Sequence, residues 1–299
     1  MDATLASPGT YVLAVSGGVD SMVLLDVLRR RAAGQSWQLV VAHLDHGMRD
    51  DSPEDRQLVQ RTAEELGLPF IYKEARLGPG ASEAAARKAR YEFLRDVGRE
   101  HGARAIVTAH HQDDVLETAI INLLRGSGRK GLTALRSRPG VERPLLDVPK
   151  STLVAYAKEH DLKWHEDSTN RDTTYLRNYV RHELLPRFDD AGRAQLLEII
   201  TGLRTTNTML DEVLTQQLAK WAGPGQLNRT WFVQLPHNVA RETMAAWLRD
   251  CGLRDFDRKT LERLVVAAKT AEPGKAFDVL KHQRLEVGKD YLALAAAER

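Results

Sequence analysis

Two groups of residues in this sequence carry side chains and backbone features that could act on a charged substrate. The first is Ser16-Gly17-Gly18-Val19-Asp20-Ser21, where one apolar run stops at two glycines and another begins at once. A glycine pair lets the backbone turn sharply and approach a ligand, and the N-terminus of a following helix presents N–H groups with partial positive charge. That combination suits a phosphate, with the Ser16 and Ser21 hydroxyls adding to the N–H groups. Asp20 would repel a phosphate unless a cation intervened, so it is expected to help hold Mg2+ or a bound water. An ordinary strand-to-helix turn capped by Ser and Asp is the plainer alternative. The loop is not of the common triphosphate type, because no G-x-x-x-x-G-K-[ST] occurs and no lysine follows the glycines.

The second group is the stretch HHQDDVLET. Its spacing places His110, Asp114 and Glu117 on one helical face, with Leu116, Ala119, Ile120, Leu123 and Leu124 expected on a buried opposite face and Asp113 to the side. Two carboxylates turned toward a phosphate loop would repel each other unless they shared a cation or a substrate ammonium. A metal-hydrolase centre is the weaker rival, since no H-E-x-x-H spacing is present. The next segment, LLRGSGRKGL, contains a formal G-x-G-x-x-G, but it follows a helix and not a strand, so it does not read as a dinucleotide fingerprint. Arg125, Arg129 and Lys130 on that glycine-rich loop suggest a basic lid over phosphates or RNA, or simply a solvated loop. Further on, Asp167-Ser168-Thr169-Asn170 is dense in turn formers and precedes a helix expected to begin near Thr174. Tyr175/Tyr179 and Arg177/Arg181 then form two i,i+4 pairs, suited to stacking on a base and contacting a nucleic-acid backbone. A salt-bridged surface helix with interface tyrosines is the reading slightly favoured by the residues alone.

Residues 11 to 121 alternate short apolar runs with amphipathic stretches of helix length. Strands are expected at 11–16, 37–43, 68–72 and 104–109, and helices at about 20–33, 53–66, 81–100 and from 112. This βαβ rhythm predicts an α/β fold with a parallel sheet whose ligands bind beyond the carboxyl ends of the strands. The second strand ends in His43-Leu44-Asp45-His46-Gly47, beside the first loop, so His43 and Asp45 could line a nucleoside pocket. Beyond about residue 190 the pattern becomes mainly helical, with WAGPGQLN at 221–228 reading as a turn between helices and a short alternating tail, FDVLKHQRLEVGKDYLALA. Two domains are expected, at 1–188 and 189–299.

A length of 299 residues with 42% hydrophobic content is enough for a substantial core. No apolar run reaches the ~18 residues of a membrane span and the N-terminus lacks signal-peptide character, so a cytoplasmic location is expected. One cysteine, Cys251, gives no intramolecular disulfide and no cysteine-based metal or redox pair. It is expected as a small apolar side chain at a helix end capped by Gly252. The net charge of +2 permits a nucleic-acid partner without requiring one.

SGGVDS after a first strand resembles the loop of the PP-loop ATP pyrophosphatases. Together with HLDHGMRDDSPED, TAHHQDDVLETAIINLLRGSGRKGL and EDSTNRDTTYLRNYVRHELLP, it makes residues 11–188 similar to the tRNA(Ile)-lysidine synthetases. The family pattern carries Pro-Ser where this chain has Ser168-Thr169. The resemblance implies a ligase that joins L-lysine to the wobble cytidine of tRNA(Ile) with a CAU anticodon, using ATP and Mg2+ and releasing AMP and pyrophosphate through an adenylated tRNA. It implies ATP binding by Ser16, Gly17, Gly18, Val19, Asp20, Ser21, His43 and Asp45, with Asp20 and Asp114 toward the metal. Asp114 and Glu117 are implied in lysine or Mg2+ binding, His110, Arg125, Arg129, Lys130, Arg177, Asn178 and Arg181 in substrate binding, and Asp20, Asp114, Glu117 and Arg177 in catalysis, with Arg177 as the phosphate-contacting arginine. Longer members of that family have a further C-terminal domain, before which this chain is expected to end, leaving 190–299 with most of the tRNA selection. A homodimer stays open.

Overall fold

The computed structural model describes residues 3–47, 52–78, 81–165, 175–254, 256–280 and 282–296. The chain divides into two compact units, 1–203 and 204–299, and the division falls inside a long helix beyond the expected boundary at 188.

The first unit is built on strands β1 (Gly9–Ala14), β2 (Trp37–Asp45), β3 (Phe70–Glu74), β4 (Ala105–Val107) and β5 (Val141–Glu142). Every neighbouring pair is parallel, in the order β3-β2-β1-β4-β5. The two-residue β5 is too short to be seen as a strand in the sequence. Helices α1 (Val19–Ala32), α2 (Ser52–Glu65) and α3 (Glu83–Glu100) make the crossovers, followed by α4 (Gln112–Leu124), the single turn α5 (Arg129–Leu132) and α6 (Lys150–Glu159).

Strand pleating sorts the core into two layers, since successive side chains face opposite sides of a sheet. Tyr11, Leu13, Leu39, Val41, Ala105 and Val107 pack on one face with α1 and α6 residues such as Leu24, Leu28 and Leu153. Val12, Val40, Ala42 and Ile106 pack on the other with Tyr91, Leu94 and Val97 of α3. The order of connection runs from β1 outward through β2 and β3, then jumps back across β1 to β4. Such a reversal opens a crevice at the carboxyl ends of the two central strands, the usual ligand position in open α/β sheets.

After the undescribed 166–174, α7 (Leu176–Tyr179) continues as a π-helical turn (Val180–Leu184) and a 3-10 turn (Leu185–Arg187), then α8 (Asp190–Trp221) begins. The helix start expected near Thr174 and the Asp167–Asn170 turn lie outside the described residues. The apolar sides of α4, the π-helical turn and early α8 share a cluster of Val115, Leu116, Ala119, Ile121, Val180, Leu185 and Ile200. Leu123 and Leu124, expected inside, are 62% and 59% exposed. They fall at the last turn of α4, where the chain leaves the cluster for a glycine turn at Gly126.

The second unit combines α9 (Arg229–Gln234), α10 (His237–Asp250) and α11 (Arg258–Thr270) with an antiparallel sheet in the order β6-β7-β10-β9-β8. The alternating tail supplies β8 (Lys275–Leu280), β9 (Gln283–Val287) and β10 (Tyr291–Ala296). WAGPGQLN forms a tight hairpin, β6 (Ala222–Gly223) and β7 (Gln226–Asn228), and not a plain turn. Trp247, Phe232, Met244, Leu264, Leu285 and Leu292 form its core. Cys251 caps α10 and is partly buried, with Gly252 at φ +83° after it. Among the described residues no helix is long and apolar enough to cross a membrane.

Candidate active site

The glycine loop follows β1 directly. Gly17 turns at φ +92°, a conformation that a side chain would strain, and Gly18 caps α1 in an extended conformation. The Ser21 hydroxyl accepts from the Ser16 N–H at 3.1 Å and donates to the Gly18 carbonyl at 2.9 Å, with Ser16 Oγ 3.2 Å away. Ser21 is 4% exposed, so it braces the loop from inside, while the first turn of α1 is left as the anion-facing surface. From outside, the His165 N–H donates to the Gly17 carbonyl at 3.1 Å, and the His165 ring meets Asp55 at 2.9 Å.

His43, at the end of β2, is buried and its Nδ1 lies 2.8 Å from the Val15 carbonyl. A carbonyl only accepts, so Nδ1 carries the proton. Burial holds the ring's proton affinity below the usual histidine value, outweighing the Val15 carbonyl and the carboxylates of Asp55 and Asp45. Neutral His43 therefore presents Nε2 as an acceptor. Asp45 Oδ1 accepts from the Gly47 N–H at 2.8 Å, closing the turn after β2.

The carboxylates gather around a histidine that the sequence pattern passed over. The helix α4 starts at Gln112, so His110 precedes it and does not share a helical face with Asp114 and Glu117. His111 is the N-cap: Asp114 Oδ2 accepts its backbone N–H at 2.9 Å. Its ring Nε2 lies 3.5 Å from Asp20 and 3.5 Å from Asp114. Burial alone would lower its proton affinity, but Asp20 and Asp114 outweigh this and raise it above the ordinary histidine value. Asp20 moves the opposite way: burial works against its charge, and His111 with Lys150 overcomes that to hold its carboxyl below the ordinary range.

Lys150 is the second residue without a local signal. It opens α6, its Nζ lies 2.5 Å from Asp20 Oδ1, and its backbone N–H donates to Asp113 at 3.2 Å. A lysine missing from the glycine loop is thus delivered 130 positions later in the chain. Only the packing of α6 on α1 brings it there, and nothing near Asp20 in the sequence announces it.

Glu117 is 1% exposed and forms a two-point pair with Arg181, Nε to Oε1 at 2.6 Å and Nη2 to Oε2 at 2.9 Å. Arg181 Nη2 also lies 3.4 Å from Asp114. Burial raises the Glu117 proton affinity and Arg181 only partly offsets this. Arg181 is therefore turned inward onto the carboxylates, not outward as a backbone clamp. The cluster is continuous: Lys150, Asp20, His111, Asp114, Arg181 and Glu117 alternate in charge from the glycine loop to the π-helical turn.

The remaining sequence candidates lie on α5, α7 and the loop after α4, and Arg177 adds to the field that opposes the rise at Glu117. Arg125 is exposed after α4, and Arg129 and Lys130 lie in α5, with Asn122 donating to the Gly131 carbonyl at 2.7 Å to hold the loop. Asn178 is buried in α7, Arg177 beside it is half-buried, and Tyr175 and Tyr179 are exposed. Arg177 is close enough to His110 to help depress its proton affinity.

Comparison with known proteins agrees with this geometry. Residues 4–188 match the family described as a PP-loop domain. The chain is 31% identical to the tRNA(Ile)-lysidine synthase of Coxiella burnetii, covering 98% of this chain and 68% of that one. It is 36% identical to the enzyme of that name from Ralstonia nicotianae, over 85% and 58% of the two chains, and 45% identical to that of Thermus thermophilus, over 64% and 38%. The chain thus spans between 38% and 68% of the length of these relatives. A U34-tRNA thiolase from Methanococcus maripaludis, holding a [4Fe-4S] cluster, shares the fold with a TM-score of 0.55 at 17% identity, over 67% of this chain and 73% of that one. With the loop, the carboxylate helix and the matched length in agreement, the chain belongs to the PP-loop family and, within it, to the tRNA(Ile)-lysidine synthases.

Proposed function

We propose that this chain joins lysine to the wobble cytidine of an isoleucine tRNA with a CAU anticodon, at the expense of ATP. The observation that supports the reading is the unbroken run of alternating basic and acidic side chains from the glycine loop to Glu117. ATP lies with its pyrophosphate end at the Gly17-Gly18 turn and the first turn of α1, and its adenosine toward His43. The base oxygen of the cytidine attacks the α-phosphorus, the bond to the β-phosphate oxygen breaks, and pyrophosphate leaves. The side-chain amine of lysine then attacks carbon 2 of the base, AMP departs with the oxygen, and the amine gives up its protons.

This chain's residues have separate tasks in those steps. Lys150 neutralises Asp20 and stands ready to follow the pyrophosphate charge, a positioned cation in the role that usually dominates phosphoryl transfer. Glu117 and Asp114 already hold a cation in Arg181, so a lysine ammonium is the kind of group they accept. Burial of Glu117 raises its proton affinity, which suits it to take a proton from that ammonium before attack. Mg2+ takes oxygen ligands, commonly one or two carboxylates with phosphate and water completing the shell. Asp20 and Asp114 offer such oxygens, and among the described residues no larger acidic or histidine metal set forms, so phosphate and water would have to complete it. When bound, Mg2+ supplies charge neutralisation at the phosphates. Positioning of three substrates supplies much of the remaining rate.

The test is ATP labelled at the α-phosphate, incubated with the enzyme and with tRNA and lysine present or omitted. Label should appear in AMP, and AMP should accumulate over many turnovers only with both partners. Release of ADP and phosphate would overturn the reading.

A further inference from the structure

The glycine loop is fixed at both ends by contacts of its own. Before it, the Val15 N–H donates to the Ala42 carbonyl at 3.0 Å and the Val15 carbonyl accepts from His43 at 2.8 Å. After it, Ser21 closes on Ser16 and on the Gly18 carbonyl. The peptide unit between Gly17 and Gly18 lies in the middle. With no Cβ on either side, it is the part of the loop most free to rotate.

Two distant segments hold that unit. The His165 N–H donates to the Gly17 carbonyl at 3.1 Å. Asp55, in the first turn of α2, packs against Gly17 so closely that a Cβ there would stand 3.4 Å from its own. The His165 ring joins the two segments, with Nδ1 2.9 Å from Asp55 Oδ1. An ionised carboxylate only accepts, so Nδ1 carries the proton. Just before His165, Leu162 and Trp164 pack against the core layer that contains α1. Residues 162–165 thus form a strap that rises from the core, crosses the loop and closes on α2.

A peptide unit is planar and trans, so its C=O and N–H point in opposite directions. Holding the Gly17 carbonyl on His165 therefore turns the Gly18 N–H the other way, toward the Ser16 hydroxyl at 3.5 Å. That contact is long, and a charged phosphate oxygen is the stronger acceptor. A rotated peptide would present a carbonyl oxygen in place of the N–H and repel the phosphate. We propose that His165 is a positioning residue, which with Asp55 locks the Gly17–Gly18 peptide so that the Gly18 N–H faces the pyrophosphate end of ATP. It acts through the backbone of the loop and not on the substrate. This assignment rests on the placement of pyrophosphate at the Gly17-Gly18 turn proposed above.

The experiment is equilibrium binding of pyrophosphate, ATP and AMP, each with Mg2+, to the wild type, His165→Ala and His165→Asn. The Gly18 amide is followed in parallel by NMR of protein labelled at its glycine nitrogens. The His165 side chain is 39% exposed, so its removal opens no hole in the core. The asparagine side-chain nitrogen stands as many bonds from Cα as Nδ1 does, so His165→Asn restores the donor to Asp55. Loss of one such hydrogen bond corresponds to a roughly three- to tenfold change in affinity. His165→Ala should bind pyrophosphate and ATP more weakly by about that factor, with AMP affinity and melting temperature as in the wild type. The shift of the Gly18 amide on adding pyrophosphate should shrink in His165→Ala and recover, with the affinity, in His165→Asn. Wild-type pyrophosphate affinity and Gly18 shift in His165→Ala would overturn the strap, as would an equal loss of AMP affinity, the mark of a general disturbance. Failure of pyrophosphate to compete with ATP on the wild type would instead sink the placement of the triphosphate on this loop.

Discussion

His110 and His111 are neighbours in the chain and sit in opposite fields. His111 lies between two carboxylates and is held toward its charged form, whereas His110 lies among arginines and is held neutral. The cause is the end of β4. Backbone leaving a strand in extended conformation still sends successive side chains to opposite sides, and His111 is extended at φ −122°, ψ −176°. One side meets α1, α4 and α6 with Asp20, Asp114 and Lys150; the other meets α3 and the segment after β5 with Arg87, Arg90 and Arg143. A single peptide unit thus separates a side lined by carboxylates from a side lined by guanidiniums.

The sharpest break in that comparison is at Glu117. Glu117→Gln leaves Arg181 beside a neutral group in a buried position, and removing one partner of a buried pair typically costs ~3 to 5 kcal/mol, more than a hundredfold in rate or binding. Single-turnover reactions at rising lysine concentration should show lysine transfer reduced by at least about that factor, with the salt slope of tRNA binding untouched. Asp114→Asn should act in the same direction and more weakly, since its Arg181 contact is longer. Normal lysine transfer in both variants would detach the acidic side from the amine.

A smaller effect is expected from pH. His111 has a raised folded-state value, so its stabilising contribution is complete below the unfolded value of 6.5 and disappears as pH rises through the folded one. Asp20 is lowered, so its contribution is present above the unfolded value of 3.8 and fades as pH falls below it. Denaturant unfolding should therefore show wild-type stability declining as pH rises above 6.5, and His111→Asn should flatten that decline. Parallel pH curves for the two proteins would remove the charged bridge between Asp20 and Asp114.

Much of the first unit was legible because its signals are local. Apolar runs ending at Ser16-Gly17-Gly18 and at His43 fixed the strands of a parallel sheet, and the loop chemistry followed from glycine geometry. The carboxylates of α4 were legible as a pair needing a cation, because like charges at helical spacing pose that question by themselves. The cation's identity was not, since Arg181 reaches Glu117 from 64 positions away and Lys150 reaches Asp20 from 130. Helical periodicity also misplaced His110: it counts residues but does not see that the helix begins two positions later. The contact of Arg143 with Tyr91 escaped notice for the same reason, because it spans 52 residues. In the second unit the alternating tail was visible, whereas the β6–β7 hairpin was hidden in five strand residues around a glycine turn.

The central claim is that one crevice unites an activated RNA base with an amine. Its most direct test is mass spectrometry of the isoleucine tRNA after reaction with ATP and lysine, digested to locate the altered nucleotide. The account predicts that the wobble cytidine gains one lysine less one water, that the gain requires ATP, and that isotopically labelled lysine appears in the product. Cytidine carrying sulfur in place of oxygen, or an RNA unchanged while ATP is consumed, would contradict it.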